Sequence, residues 1–203
     1  KLKMALTEEQ ELGETVEQHW YYRSKSAAML RLLEPIKPRK ILDVGAGSGF
    51  FSKHLLSHTT AGSAWCIDPF YPEERDDCIA GKPIHYRFEC AATDADLVLM
   101  MDVLEHVEDD LTLLSDYVAK VPSGTRFLIT VPAFQFLWSG HDVFLGHYRR
   151  YTSSMVLDLM KRAGLVVEHR AYFFGLVFPL VVTARLAGRL LGNPTDEPKS
   201  DLR

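Results

Sequence analysis

The chain has 203 residues, 47 % of them hydrophobic and 25 % charged, with a formal net charge of −4. That length suits one α/β domain with a real core, and the composition is that of a globular protein. A net negative charge gives no general attraction to phosphate backbones, so nucleic acid is not an expected partner. Cys66, Cys78 and Cys90 are odd in number and lack CxxC spacing. This argues against a disulfide framework or a structural zinc site and suits a reducing, cytoplasmic compartment. The opening KLKMALTEEQELGE is too charged for a secretory leader.

In chain order, residues 7–34 are predicted to be helical, with Thr7 and Gln10 at capping-box spacing. HWYYRSKSAAMLRLLE carries apolar residues at helical spacing until Pro35 and Pro38 end it. An apolar strand, KILDVG, leads through a glycine turn into a helix over about 49–58, and SAWCID is a second strand. PFYPEERDDCIAGKP is expected to be irregular or partly helical, HYRFE a third strand and DLVLMMD a fourth. A helix over 107–120 stops near Pro122, TRFLITVP is a fifth strand, TSSMVLDLMKRAGL a helix closed by Gly164, and VVEHRAYFF a sixth strand. Apolar strands alternating with helices predict a doubly wound α/β fold, a mostly parallel sheet with helices on both faces. The division expected is a helical cap over 1–38, a core over 39–174 and an apolar segment with a polar tail over 175–203. Residues 132–151, rich in aromatics and histidines, form a loop of a length that is often functional.

In Asp43-Val44-Gly45-Ala46-Gly47-Ser48-Gly49 a buried strand turns into a helix. Gly45 and Gly47 permit backbone angles closed to other residues and let a ligand approach the main chain, while Gly49 lets the helix pack closely. The spacing is GxGxG, not the GxGxxG of dinucleotide-binding turns. Asp43 beside the turn would repel a diphosphate but suits a ligand carrying an ammonium and a sulfonium. Asp68, 19 residues beyond Gly49, closes the second strand, where a carboxylate can accept from both ribose hydroxyls of an adenosine. Glu89 at the end of the third strand is expected near the adenine, and Asp102 closes the fourth strand beside the same crevice.

ILDVGAGSGF, CIDP, DLVLMMDVLEHVEDD and TRFLITVPA resemble the class I S-adenosylmethionine-dependent methyltransferase family. HDVFLGHYRRYT, residues 141–152, and HWYYRSK, residues 19–25, resemble a subgroup of small bacterial members. The resemblance implies a Rossmann-like methyltransferase fold with S-adenosylmethionine as cofactor. It places Gly45, Ala46, Gly47 and Gly49 along the cofactor, Asp68 at the ribose and Asp102 by the methionine end. The family's sheet has a seventh, antiparallel strand between the fifth and sixth. After YFF this chain runs through GLVFPLVVTARLAGRLLG with no clear equivalent. Either the chain is truncated or that apolar segment takes the position.

Methyl transfer is a direct displacement, so alignment of the acceptor supplies much of the rate, and an oxygen or nitrogen acceptor can also need a base. His106, His141 and His147 are the candidates; each can instead lock its loop by bonding backbone. Asp102, Glu105 and His106 have i, i+3, i+4 spacing and, if helical, share a face that suits a divalent metal with His141 as fourth ligand. DVLEHV also resembles metal-free relatives in which Glu105 and His106 brace the helix, and no metal is assigned. Arg149, Arg150 and Tyr151 are expected at the substrate, the arginines as a clamp for carboxylate or phosphate or else as surface ion pairs. Arg23 reaches the same mouth if the first helix is a lid.

Residues 171–184 are uncharged and too few to span a bilayer. With Arg185 and Arg189 one turn apart, 171–191 suits peripheral contact with the inner membrane face, or burial in a core or dimer. The function expected is methyl transfer to a small or lipid-linked acceptor. The alternatives are a non-catalytic module that binds the same cofactor and a nicotinamide-dependent oxidoreductase, which Asp43 and the GxGxG spacing disfavour.

Overall fold

The structure is a computed structural model, and it describes residues 19–173 together with 175, 178, 179, 182 and 183. Thr7, Gln10 and most of the apolar C-terminal segment lie outside the described residues. The chain forms two compact units. Among the described residues, one holds 19–103 together with 119–130, the other 104–118 and those from 131 onward.

The first unit carries the sheet. Helix α1 (Trp20–Leu33) buries Tyr22, Lys25, Ser26, Met29 and Leu33, a stripe at the 3.6-residue period, and ends where Pro35 forbids a further turn. β1 (Lys40–Val44), α2 (Phe50–His58) and β2 (Ser63–Ile67) follow as the apolar pattern predicts. β4 (Lys82–Arg87), β5 (Leu97–Met101) and β6 (Arg126–Thr130) complete the parallel part. The segment expected to be irregular instead supplies β3 (Arg75–Ile79), antiparallel to β4, with Ile79 opposite Lys82. The two intervening residues, Ala80 and Gly81, both have positive φ, which is the two-residue hairpin turn whose twist matches its strands.

The sheet order is β3-β4-β2-β1-β5-β6. β1 pairs with β2 on one side and β5 on the other, both parallel, so the order reverses between β1 and β5. Open α/β sheets bind ligands outside the carboxyl ends of their strands at such a reversal. α1 and α2 share a core with alternate residues of the strands: Tyr22, Met29, Leu55 and Leu56 against Ile41, Cys66, Ile84, Tyr86 and Leu99.

The helix expected over 107–120 is found as α3 (Asp110–Lys120), preceded by a 3-10 turn (Leu104–His106). The loop over 132–151 is more ordered than its length suggested. It contains a 3-10 turn (Gln135–Leu137) and α4 (Gly140–Leu145), capped by Ser139 with Asp142 and closed by Gly146 in the left-handed conformation. α5 (Ser153–Arg162) begins at Thr152, whose hydroxyl accepts from the Met155 N–H. The expected sixth strand is not one. Residues 165–172 pair with no described strand, and Val166 is 87 % exposed. Among the described residues the only antiparallel strand is β3, at the β4 edge, and none lies beyond β6.

Candidate functional site

The first unit's site is built at the β1/β5 reversal. Gly45, Gly47 and Gly49 have φ of 65°, 53° and 75°, all in the left-handed region. The N–H groups of Gly45 and Ala46 donate to Ile67 O, at 2.8 and 3.3 Å, tying the turn to the end of β2. A Cβ on Gly45 would lie 2.8 Å from Val103 Cγ2, and one on Gly49 3.1 Å from the Tyr86 ring and 3.2 Å from Cys66 Sγ. Both glycines are therefore required by close packing as well as by backbone angle.

Three carboxylates surround the turn. Asp43 is buried below it and accepts from Ser52 Oγ at 2.7 Å. Asp68, 4 % exposed, accepts from the Gly47 N–H at 3.2 Å and the Phe70 N–H at 2.9 Å. Burial raises the Asp68 carboxyl above its ordinary range despite those two bonds. Each of its oxygens retains a second lone pair. Asp102 has φ of 57°, uncommon for a residue with a side chain, and it belongs to no helix. The premise that Asp102 shares a helix face with Glu105 and His106 therefore fails.

Asp102 is engaged by groups that the sequence did not flag. Lys25 of α1 pairs directly with its carboxylate, Tyr21 OH donates to Oδ2 at 2.9 Å, and Thr130 Oγ1 donates to Oδ1 at 2.9 Å. Burial alone would raise this carboxyl; the charge of Lys25 and the three donors outweigh it and hold the group below its usual value.

The second unit holds a separate polar cluster. Asp142, fully buried, accepts from Arg150 Nε and an Arg150 terminal nitrogen at 2.7 and 2.9 Å, from His147 Nδ1 at 2.9 Å and from the Ser139 N–H at 2.9 Å. Burial pushes its carboxyl up, but the His147 and Arg150 hydrogen bonds and the Arg150 charge prevail and hold it well below the carboxylate range. An ionised carboxylate can only accept, so Nδ1 of His147 donates to Asp142. The His147 ring meets His106 edge-on, with centroids 4.7 Å apart. One ligand atom from each of Glu105, His106 and His147 lies within 4.8 Å of the others, and Glu105 is 1 % exposed.

A family model described as a methyltransferase domain matches residues 18–170. The chain belongs to the methyltransferase domain family. It is 26 % identical to a ubiquinone biosynthesis O-methyltransferase of Haemophilus ducreyi, over 61 % of this chain and 64 % of that protein. Among solved structures it is similar to the pyocyanin biosynthetic protein PhzM, with a TM-score of 0.57, 20 % identity and 72 % of this chain against 50 % of that one. It is also similar to the N-methyltransferase NodS of Bradyrhizobium japonicum, solved with S-adenosylhomocysteine, with a TM-score of 0.53, 18 % identity and coverage of 79 % and 84 %. At these identities the structural likeness speaks for the fold. The chain thus spans less than two thirds of the first two relatives' length.

Within this chain, the glycines, Ala46, Asp43, Asp68 and Asp102 are gathered in the first unit. Glu89, in the same unit, lines a cavity of about 510 Å³ with Leu42, Trp65, Arg87 and Cys90, on the sheet face that does not carry α1 and α2. His106 and His147 come together; His141, on α4, is outside their cluster. Arg149 is taken up by Asp110, at 2.8 Å, and by the Glu108 carbonyl, Arg150 by Asp142, and Tyr151 OH donates to Asp110 at 2.8 Å. These contacts are internal ion pairs and hydrogen bonds of the loop. Arg23 is exposed on α1, while Tyr21 and Lys25 of the same helix turn to Asp102. Sequence reasoning passed over Lys25, Tyr21, Thr130 and Asp142. Asp142 stood inside the quoted HDVFLGHYRRYT run, and Ser139-x-x-Asp142 is itself a capping-box signal.

Proposed function

We propose that this chain transfers a methyl group from S-adenosylmethionine to an oxygen or nitrogen of a small or lipid-linked acceptor. The observation that carries the proposal is the left-handed glycine turn at the β1/β5 reversal, ringed by Asp43, Asp68 and Asp102. The cradle fits the cofactor: side chains are absent where Val103 closes on Gly45, and the carboxylates favour a cation over a diphosphate. When bound, S-adenosylmethionine supplies an electrophilic methyl carbon on a sulfonium. Asp68 holds the ribose hydroxyls through its remaining lone pairs, and Asp102 attracts the methionine end. The Haemophilus ducreyi relative is named an O-methyltransferase, which favours oxygen as the accepting atom. Exposed Tyr172 and Phe173, within the apolar C-terminal segment, and exposed Phe136, whose ring lies 6.3 Å from that of Phe178, are consistent with a lipid-linked acceptor and peripheral membrane contact. Among the described residues, no helix is long and apolar enough to cross a membrane.

His147, held by Asp142 through Nδ1, is the proton acceptor in this reading. A second reading rests on the closeness of Glu105, His106 and His147, which offer one carboxylate and two imidazoles, a donor set suited to a divalent transition metal. Asp142 on the far nitrogen of His147 would then orient a ligand. Calorimetry with S-adenosylmethionine, S-adenosylhomocysteine and NAD tests the cofactor: the first two are expected to bind, and NAD binding in their place would overturn the assignment. The role of His147 is tested by His147→Ala, assayed with an acceptor found by screening phenols and amines. Turnover is expected to fall about 10²–10⁴-fold while S-adenosylhomocysteine affinity stays within about threefold. Prior treatment with EDTA separates the two readings. A base leaves turnover unchanged, whereas a metal site loses it until Mn²⁺ or Zn²⁺ is restored.

A further inference from the structure

Asp102 directly follows β5 at the reversal, and the next residue, Val103, fills the space over Gly45. Its side chain is 33 % exposed, whereas that of Lys25, its ion-pair partner, is 6 % exposed. Asp102 is thus the accessible member of the pair, and Lys25 is the buried one. Lys25 has three N–H donors, and the structure spends them on Asp102, on Tyr21 OH at 3.1 Å and on Thr130 Oγ1 at 3.1 Å. The ammonium is also 5.1 Å from the Tyr21 ring centroid and 5.7 Å from that of Phe51. No donor remains for a ligand. Lys25 acts on the crevice only through Asp102.

We infer that Lys25 is a positioning residue that neutralises Asp102, and so sets how strongly the cofactor crevice prefers a cationic ligand to its neutral counterpart. This rests on the reading that the crevice takes S-adenosylmethionine. That compound carries one positive charge more than S-adenosylhomocysteine, the sulfonium, and product release needs the second to leave a site that attracted the first. A lone carboxylate at the reversal would pull on the ammonium of both and, in addition, on the sulfonium of one. Compensation by Lys25 removes most of that pull, while Asp102 keeps its shape and hydrogen-bonding capacity. The left-handed backbone at Asp102 aims the carboxylate at Lys25, Tyr21 and Thr130 together, and non-glycine residues in that conformation cluster where function over-determines them.

The test compares dissociation constants for S-adenosylmethionine and S-adenosylhomocysteine in the full chain at low ionic strength. The proteins are the wild type, Lys25→Met, Asp102→Asn and the double variant. The informative quantity is the ratio of the two constants, because loosening of α1 weakens both ligands alike and leaves the ratio unmoved. Lys25→Met is expected to shift the ratio about tenfold toward S-adenosylmethionine, Asp102→Asn about tenfold the other way, and the double variant to return near the wild type. Salt should shrink both shifts. Equal loss for both ligands in the single variants would overturn the inference and leave Lys25 a structural clamp. Should Lys25→Met not fold, Asp102→Asn still decides, since it keeps the side-chain shape and leaves Lys25 uncompensated. If the wild type binds neither ligand, the cofactor assignment itself falls, and that outcome is distinct from an unchanged ratio.

Discussion

Asp142→Asn is expected to cost about 3–5 kcal/mol of stability and to lower the unfolding midpoint by roughly 10 °C. The reason is the guanidinium left behind. Arg150 has a side chain 14 % exposed and pairs with Asp142 through two nitrogens; an amide cannot balance its charge. The same change releases the Ser139 N–H and the ring of His147. Thermal unfolding followed by circular dichroism measures the loss, and a shift below 3 °C would refute this account of the loop. The pH dependence has a defined sign. Because the folded state holds the Asp142 carboxyl below its unfolded value, its contribution is complete above the ordinary aspartate range. It is lost as pH falls through the lower, folded value. Wild-type stability should therefore decline in acid more steeply than that of Asp142→Asn, and the two curves should converge at low pH.

The second large effect is expected at Gly45. Alanine there has to adopt φ of 65°, at about 1–2 kcal/mol, and its Cβ would sit 2.8 Å from Val103 Cγ2. Overpacking adds about 1–3 kcal/mol, so Gly45→Ala should lose about 2–5 kcal/mol in total. Val103 or the turn then has to move, which should weaken S-adenosylhomocysteine binding by at least about 100-fold. Val103→Ala in the same chain removes the clash but not the backbone strain. A double-mutant cycle should consequently show a favourable coupling of about 1 kcal/mol or more between the two sites. Wild-type stability and affinity in Gly45→Ala would show that the turn is not a close cradle.

The parts of this fold that could be read from sequence share one physical property. β1, β2, β5 and β6 belong to the parallel part of the sheet, and their runs KILDV, SAWCI, LVLMM and RFLIT declare it through apolar residues. β3 could not be read in this way. RDDCI is an exposed edge strand without an apolar face, and its turn uses Ala-Gly rather than the stronger Asn-Gly signal. VVEHR erred in the opposite direction, since its valines suggest a strand but no neighbour pairs with them. The glycine turn and its acids were legible because each residue type answers a local demand. Lys25 was not, because a lysine within HWYYRSK reads as a solvated face until the helix is rotated against the sheet. The coming together of His147 with His106 and Asp142 depends on how the 139–150 loop winds, and spacing alone did not reveal it.

The β3–β4 hairpin has a consequence for how the molecule behaves in company. Its outer strand ends the sheet with Arg75, Asp76 and Asp77 exposed, and Asp76 holds Arg87 and His85 of the inner strand. Another chain that tried to add a strand there would meet packed, hydrated charge of both signs and would have to strip its water. The hairpin thus guards that border against aggregation, at little expense to the interior.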